Sequence, residues 1–299
     1  MKKLTVDEQV VGYLNYLVKT YNGYTKLIAQ TQQRLLTIPG EKRGKDFDST
    51  LKGEDDQDGL NTIKGRLTRA IEKELPQFEV WERWLKSIPG IGPMIAAKLI
   101  ISFKYRFYPI CKECGGKQEK VEKSFVCLDC GKKASGEGLL EYRMEEKDFP
   151  TISKWWKYMG RHTVNGIMPK REKGVKADWS TEKRTLGFMI GDQFNRQKDD
   201  HPYKKFLLER KGKHAKNHPD WSLGHIQNAA KNEAVKLFLS HFWTVARIID
   251  GKPISEPYAG VIMGHTDIIK PFYWKEEKRK EEKKKKRQRD SETIYEIHG

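Results

Sequence analysis

The sequence predicts a mainly all-α fold: an antiparallel coiled-coil hairpin joined to a helical body that carries one small cysteine-rich insert. Three observations predict it. Near the start, apolar residues recur in alternating steps of four and three. Apolar stripes at helical spacing return through the last third of the chain, and no segment alternates as a half-buried strand would. All four cysteines fall between 111 and 130.

The elements follow in order. Val10, Leu14, Leu17, Tyr21, Tyr24 and Ile28 form the first seam within a helix over Thr5 to Leu36. A polar stretch from Pro39 to Gly59 has little to bury and predicts a loop. A second helical pattern runs from Asp58 through Leu60, Ile63, Leu67, Ile71, Leu75 and Phe78 to Leu85, broken at Pro76. Two such helices joined by a loop should lie antiparallel, so residues 1–86 read as a coiled-coil unit and 87–274 as the body.

In "SIPGIGPMIAAKLI", Ser87 to Ile100, a proline and glycine turn feeds an apolar helix, and the backbone N–H groups near Gly90 and Gly92 are candidates to face a phosphate. Lys98 lies on that helix. After the cysteines, Pro150 suits the first turn of a helix around "TISKWWKYMG". A basic loop then carries Lys170, Arg171, Lys173 and Lys176 around Gly174, followed by Lys183 and Arg184. Helices are predicted over Thr181 to Gln197, His201 to Lys211 and Gly224 to Asp250. The last has Ile226, Ala230, Ala234, Phe238, Phe242, Val245 and Ile249 along one side. Residues 275–299 are a charged basic tail.

The chain has 299 residues, 58 Lys and Arg against 41 Asp and Glu, and a net charge of +17. Such a surface gains free energy by releasing counterions from a polyanion, so nucleic acid is the expected partner. No apolar segment resembles a signal peptide or approaches the roughly 20 residues a membrane helix needs. The expectation is a cytoplasmic protein with no membrane partner.

Cys111 and Cys114, then Cys127 and Cys130, form two C-x2-C pairs twelve residues apart. Each pair puts two thiolates on one turn, and together they supply the tetrahedral sulfur shell of a structural Zn²⁺ in a zinc ribbon at about 106–135. Gly115 and Gly131 follow the second cysteine of each pair, where the turn needs freedom. Lys112, Lys117, Lys120, Lys123, Lys132 and Lys133 crowd around this insert. Carboxylates are concentrated in "GEDDQDG" and in charge-mixed helices, and His225, His241, His265 and Asp267 form no constellation. No catalytic centre is predicted.

"LKSIPGIGPMIAAKLI", "WWKYMG", "IMPKREKG" and "DWSTEKRTLGFMIGDQF", in that order, resemble the C-terminal domain of bridge-RNA-guided insertion-sequence transposases. The same region resembles the Nop domain of box C/D ribonucleoproteins. "HPDWSLGHIQNAAKNEAVKLFLSHFW" and "EPYAGVIMGHTDIIKPFYW" are similar to the C-terminal helices of the Nop-like proteins of TIGR-Tas systems. The resemblance covers roughly Leu60 to Trp274. It implies a helical Nop-like body that binds a guide RNA and, through base pairing, target DNA, in a homodimer joined by the coiled coil in a prokaryotic or viral-host cytoplasm. The transposases use a serine in the basic-loop region, and Lys170 to Lys176 contains none; Ser180 lies later, at a helix N-cap. A nuclease-free member is therefore the expectation, with Lys231, Lys236 and Arg247 of the last helix as further phosphate contacts. A transposase-derived protein working with a nuclease in trans, or a box C/D-like RNA scaffold, remain the alternatives.

Overall fold

The computed structural model describes residues 8–38, 50–54, 57–121, 124–135, 141–164, 168–175, 177–254 and 269–275. Most of the polar loop, Lys123, Lys176, His265, Asp267 and the basic tail beyond residue 275 lie outside them. The described chain is mainly helical. Its helices are α1 (Glu8–Leu36), α2 (Leu60–Glu74), α3 (Glu79–Arg83), α4 (Pro93–Lys104), α5 (Ile152–Tyr158), α6 (Thr181–Asn195), α7 (Pro202–Asn217) and α8 (Leu223–Asp250). No described helix is long and apolar enough to cross a membrane.

Helix α1 packs along α2. Val11, Leu14, Leu17 and Val18 of α1 are buried in one core with Ile71 and Leu75 and with the helices that follow. That stripe is broader than the expected seam: Val11 and Val18 are buried, whereas Tyr21 and Tyr24 are only half-buried. A face of this width is what a helix presents to a globular core rather than to one partner helix. The second helix breaks at the expected proline: it stops at Glu74, Leu75–Gln77 tightens into a 3-10 turn around Pro76, and α3 and a further short turn continue to Ser87. Proline cannot donate to the preceding turn, so the break belongs to that residue.

Helix α4 is apolar almost all round and sits at the centre, with Ile95, Ala96, Ala97, Leu99, Ile100, Ile101 and Phe103 buried. Phe103 meets Trp155 and Phe242 edge to face at 5.0 and 5.2 Å, and Phe149 at 5.5 Å. Each such pair contributes roughly 0.5–1.5 kcal/mol beyond the area it buries. Lys104 pairs with Asp250 at 2.7 Å, pinning the ends of α4 and α8 together. Every residue of the predicted stripe on α8 is buried, from Ile226 to Ile249, and Gly251 ends the helix in the left-handed region at φ 64°.

Short strands form although no alternating segment marked them. Strand β1 (Gly53–Glu54) pairs with β2 (Gln57–Asp58) beside α2. Then β3 (Tyr105–Ile110) leaves α4 and pairs antiparallel with β7 (Glu141–Glu146), Tyr105 opposite Glu146 and Ile110 opposite Glu141. Tyr105, Phe107 and Met144 rest on the main core. Beyond this two-stranded stalk, β4 (Gln118–Val121), β5 (Ser124–Cys127) and β6 (Lys133–Ser135) form a three-stranded antiparallel sheet. The cysteine-rich excursion therefore returns through Glu146. Strand β3, YRFYPI, is interrupted by Arg106 and Pro109 and β7, EYRMEE, is mostly charged, so neither reads as a plain apolar run. At the other end of the body, residues 269–275 form a turn, not a helix, and Phe272 accepts the Trp84 Nε1–H through its carbonyl at 2.7 Å.

Candidate metal centre and basic cleft

Two knuckles of the same construction build the cysteine cluster. The N–H of Cys111 donates to the Gly116 carbonyl at 2.8 Å and that of Gly115 to the Cys111 carbonyl at 2.8 Å. The second turn repeats this with Cys127 to Lys132 at 2.8 Å and Gly131 to Cys127 at 3.0 Å. Gly115 and Gly131 take φ of 70° and 71°, a region in which a Cβ is disfavoured, so both glycines stand where the turn requires them. The four sulfurs lie within 4.8 Å of one another, with Cys114 Sγ 3.4 Å from the sulfurs of both Cys127 and Cys130, and Cys111 Sγ 3.7 Å from that of Cys130. None of the four is in a disulfide.

Backbone N–H groups point at these sulfurs. The Cys114 N–H holds the Cys111 thiol below its ordinary pKa, and the Cys130 N–H does the same for Cys127. At Cys114 the Gly116 N–H also favours the thiolate, but sharing charge with Cys130 and Cys127 outweighs it and pushes the thiol up to about 12. Four thiolates this close repel one another, and a central cation is what allows all of them to ionise. The donor set suits a soft or borderline ion held at a closed four-sulfur site.

The basic residues predicted to contact phosphate divide into three groups. Lys170, Arg171 and Lys173 are exposed on a projecting loop around Gly174, whose φ is 82°. Lys98 and Lys183 line a cleft of about 360 Å³ with Asn22 of α1 and Glu182, Thr185, Leu186 and Met189 of α6. Of the remainder, Arg247 turns inward, which rules it out as a phosphate contact, while Arg184, Lys231 and Lys236 are half-buried and lie against neighbouring groups. Arg247 is 3 % exposed; its Nε donates to the Pro253 carbonyl at 2.8 Å, and its Nη1 to Asp148 Oδ1 at 2.7 Å and the Phe149 carbonyl at 3.1 Å. Arg184 donates to the Pro169 carbonyl at 2.6 Å and lies over Trp179 at 4.3 Å, so it ties the base of the basic loop to α6. Lys231 lies against Asp192 and Phe188, and Lys236 lies over Trp156 at 4.3 Å. For Lys231, Lys236 and Arg247 the reason is shared: α5, α6 and α7 pack on α8, so its cations fall against neighbours.

Gly90, at φ 89°, is backed by Gln193 of α6 and by Gln197 just past its end, and a Cβ there would stand 2.9 Å from Gln197 Nε2. It joins the turn to α6. Gly92 is exposed and stands at the N-cap of α4. Ser180 is the N-cap of α6, accepting the Lys183 N–H at 3.4 Å, as its position predicts.

Residues that the sequence did not single out complete the cleft. Tyr21 of α1 receives two cations over its ring, Lys64 of α2 at 5.1 Å and Lys98 of α4 at 5.8 Å. Burial lowers the Lys98 pKa; Glu182 acts against this, while Lys183 and Lys64 add to it. Lys147, just after β7, lies over the Tyr158 ring at 4.4 Å with its Nζ 3.1 Å from the phenol oxygen. Burial, and then the charges of Lys183 and Arg106, bring the Lys147 pKa down to about 7. Among the described residues, Lys64, Lys98, Arg106 and Lys147 make no ion pair; Lys183 meets Glu182 at 3.5 Å, and Arg106 faces Glu145 across the stalk. Lys98 and Lys147 are lowered first by burial and further by neighbouring cations, and an anion brought there relieves that repulsion. No run of basic residues could have marked this group, because its members come from α1, α2, α4, β3, α6 and the loop after β7. No family model matches the chain, and neither a curated protein nor a solved structure matches it.

Proposed function

We propose that this protein binds a short guide RNA and recognises DNA through base pairing by that RNA, without a nuclease of its own. The observation that carries the reading is the cleft lined by Lys98, Lys183 and Glu182, with Lys64 and Lys98 gathered at the ring of Tyr21 and with Lys147, close enough to feel the charges of Lys183 and Arg106, at Tyr158. Phosphates satisfy the cations, and contacts of that kind do not read sequence. Sequence is then left to the RNA, the division of labour used by guided effectors. The exposed loop at Lys170, Arg171 and Lys173 extends the same positive surface. The order of motifs from "IPGIG" to "KPFYW", which resembles Nop-like proteins of TIGR-Tas systems, supports a guide over a random RNA.

Zn²⁺ is the ion assigned to the four cysteines. Thiolates about 2.3 Å from a central zinc stand about 3.8 Å apart, close to the 3.4 to 3.7 Å separations of the sulfurs. With all four positions taken by sulfur, the ion's part is to hold the ribbon's two knuckles together. The α1 and α2 hairpin is assigned as the element that joins two copies into a homodimer, as the resemblance implies.

Sequencing of the RNA that copurifies after a high-salt wash tests the reading. A single short species with segments matching DNA is expected, and the K98E/K183E double variant should lose it by about tenfold or more. A random population, or none, overturns guided recognition. Metal-dependent strand cleavage by the purified chain would favour the transposase-derived alternative instead.

A further inference from the structure

Where α7 turns into α8, four aromatic rings gather away from the cleft. His214 is in the last turn of α7 and His218 is its C-cap, Trp221 lies in the connection, and His225 is in the first turn of α8. The rings of His218 and Trp221 are 4.0 Å apart and 8° from parallel; those of Trp221 and His225 are 4.0 Å apart and 16° from parallel. His214 stands 5.7 Å from Trp221 and 6.1 Å from His218. The indole is thus sandwiched between two imidazoles, and His225, which is exposed, ends the column on the solvent side.

Helix formation does not account for this stack. Ser222 already caps α8 by accepting the His225 N–H at 3.2 Å, and Gly224 and Leu223 beside it are open to solvent, Leu223 at 79 %. Nor is it a core, since Trp221 is only half-buried and its partners are polar. Its surroundings are positive. Lys211 lies one turn before His214, and Lys213 and Lys216 are exposed on the same stretch. The nearby carboxylate of Glu233 is occupied by His214 Nε2 at 2.7 Å and Arg210 Nε at 3.3 Å, which leaves Asp220 as the exposed acid in the connection.

We propose that this column is a stacking platform for an unpaired nucleobase, the base resting on the outer face of His225 while the α7 lysines take the adjacent phosphates. Every base has a π face, so such a platform accepts single strands without regard to sequence. It would hold a stretch of RNA or displaced DNA that is not base-paired. This inference rests on the reading of the chain as a nucleic-acid-binding protein.

The test measures the affinity of the full chain for a short oligouridine and for an abasic oligomer of the same backbone and length, using wild type, His225→Ala and His225→Phe. The alanine variant should bind oligouridine about fivefold or more weaker, the low end of what a base-aromatic stack contributes, and bind the abasic strand as wild type does. The phenylalanine variant should restore oligouridine binding. Circular dichroism and thermal melting confirm that both variants fold. Unchanged oligouridine binding by the alanine variant, or an equal loss on the abasic strand, overturns the platform while leaving nucleic-acid binding intact. Failure of wild type to bind either oligomer overturns the broader reading, and the platform with it.

Discussion

Arg247 and His241 show how one helix can bury groups that look functional in one dimension. The Arg247 guanidinium is spent on the Pro253 and Phe149 carbonyls and on Asp148. Replacing it with alanine should cost about 2–3 kcal/mol in denaturant unfolding, because charge-assisted hydrogen bonds are lost and buried carbonyls are left bare. RNA affinity, measured where the variant is folded, should not change; a loss there would restore Arg247 as a contact. His241 is 2 % exposed and neutral in the fold: its Nε2–H donates to the Ile269 carbonyl at 3.0 Å, and its Nδ1 accepts the Tyr203 hydroxyl at 2.8 Å. Burial brings its pKa down to about 4, against the opposing pull of Ile269. With the folded pKa below the unfolded value of about 6.5, the unfolded chain takes up the proton first as pH falls. Stability should therefore fall between about pH 6.5 and 4, by about 3 kcal/mol from this group, and level off below. The His241→Gln variant should flatten that part of a melting profile; an unchanged slope would assign it to other groups.

At the scale of elements, the cysteine cluster and its stalk form a small structure with its own source of stability. The sheet and its knuckles have few buried side chains, Phe125 with Cys111, Cys127 and Gln118, so hydrophobic burial alone does not hold them. Metal binding supplies folding free energy in such modules. Chelation, or Cys127→Ser, should release the metal as read by elemental analysis. Amide exchange should then accelerate across residues 111–135 while the buried helices α4 and α8 keep their protection. Loss of protection in α4 would show that the cluster supports the main core. Tyr105, Phe107 and Met144 explain why the effect should stop at the stalk: they rest on the main core, independently of the sulfurs.

For the whole molecule, the net charge of +17 matters less than where it is concentrated. If Lys98, Lys183, Lys170, Arg171 and Lys173 each meet a phosphate of single-stranded RNA, log K should fall against log salt with a slope of about −3.5, from about 0.7 per contact. The K98E/K183E variant should flatten that slope by about 1.4 or more; an unchanged slope would remove the cleft from the interface. What the sequence by itself determined was local: the stripe of α8, the break at Pro76, the Ser180 cap, and the two knuckles with Gly115 and Gly131. Each is set by periodicity, a missing N–H or a positive φ, and needs only its near neighbours. The strand pair β3 and β7 was hidden because residues 105–110 and 141–146 become strands only by pairing with each other across the insert. The cleft was hidden for a related reason, since Tyr21, Lys64, Lys98, Arg106, Lys147 and Lys183 are gathered from separate elements. Tertiary structure alone decided which cations face solvent and which are buried, because desolvation and the presence of a partner are properties of packing, not of residue type.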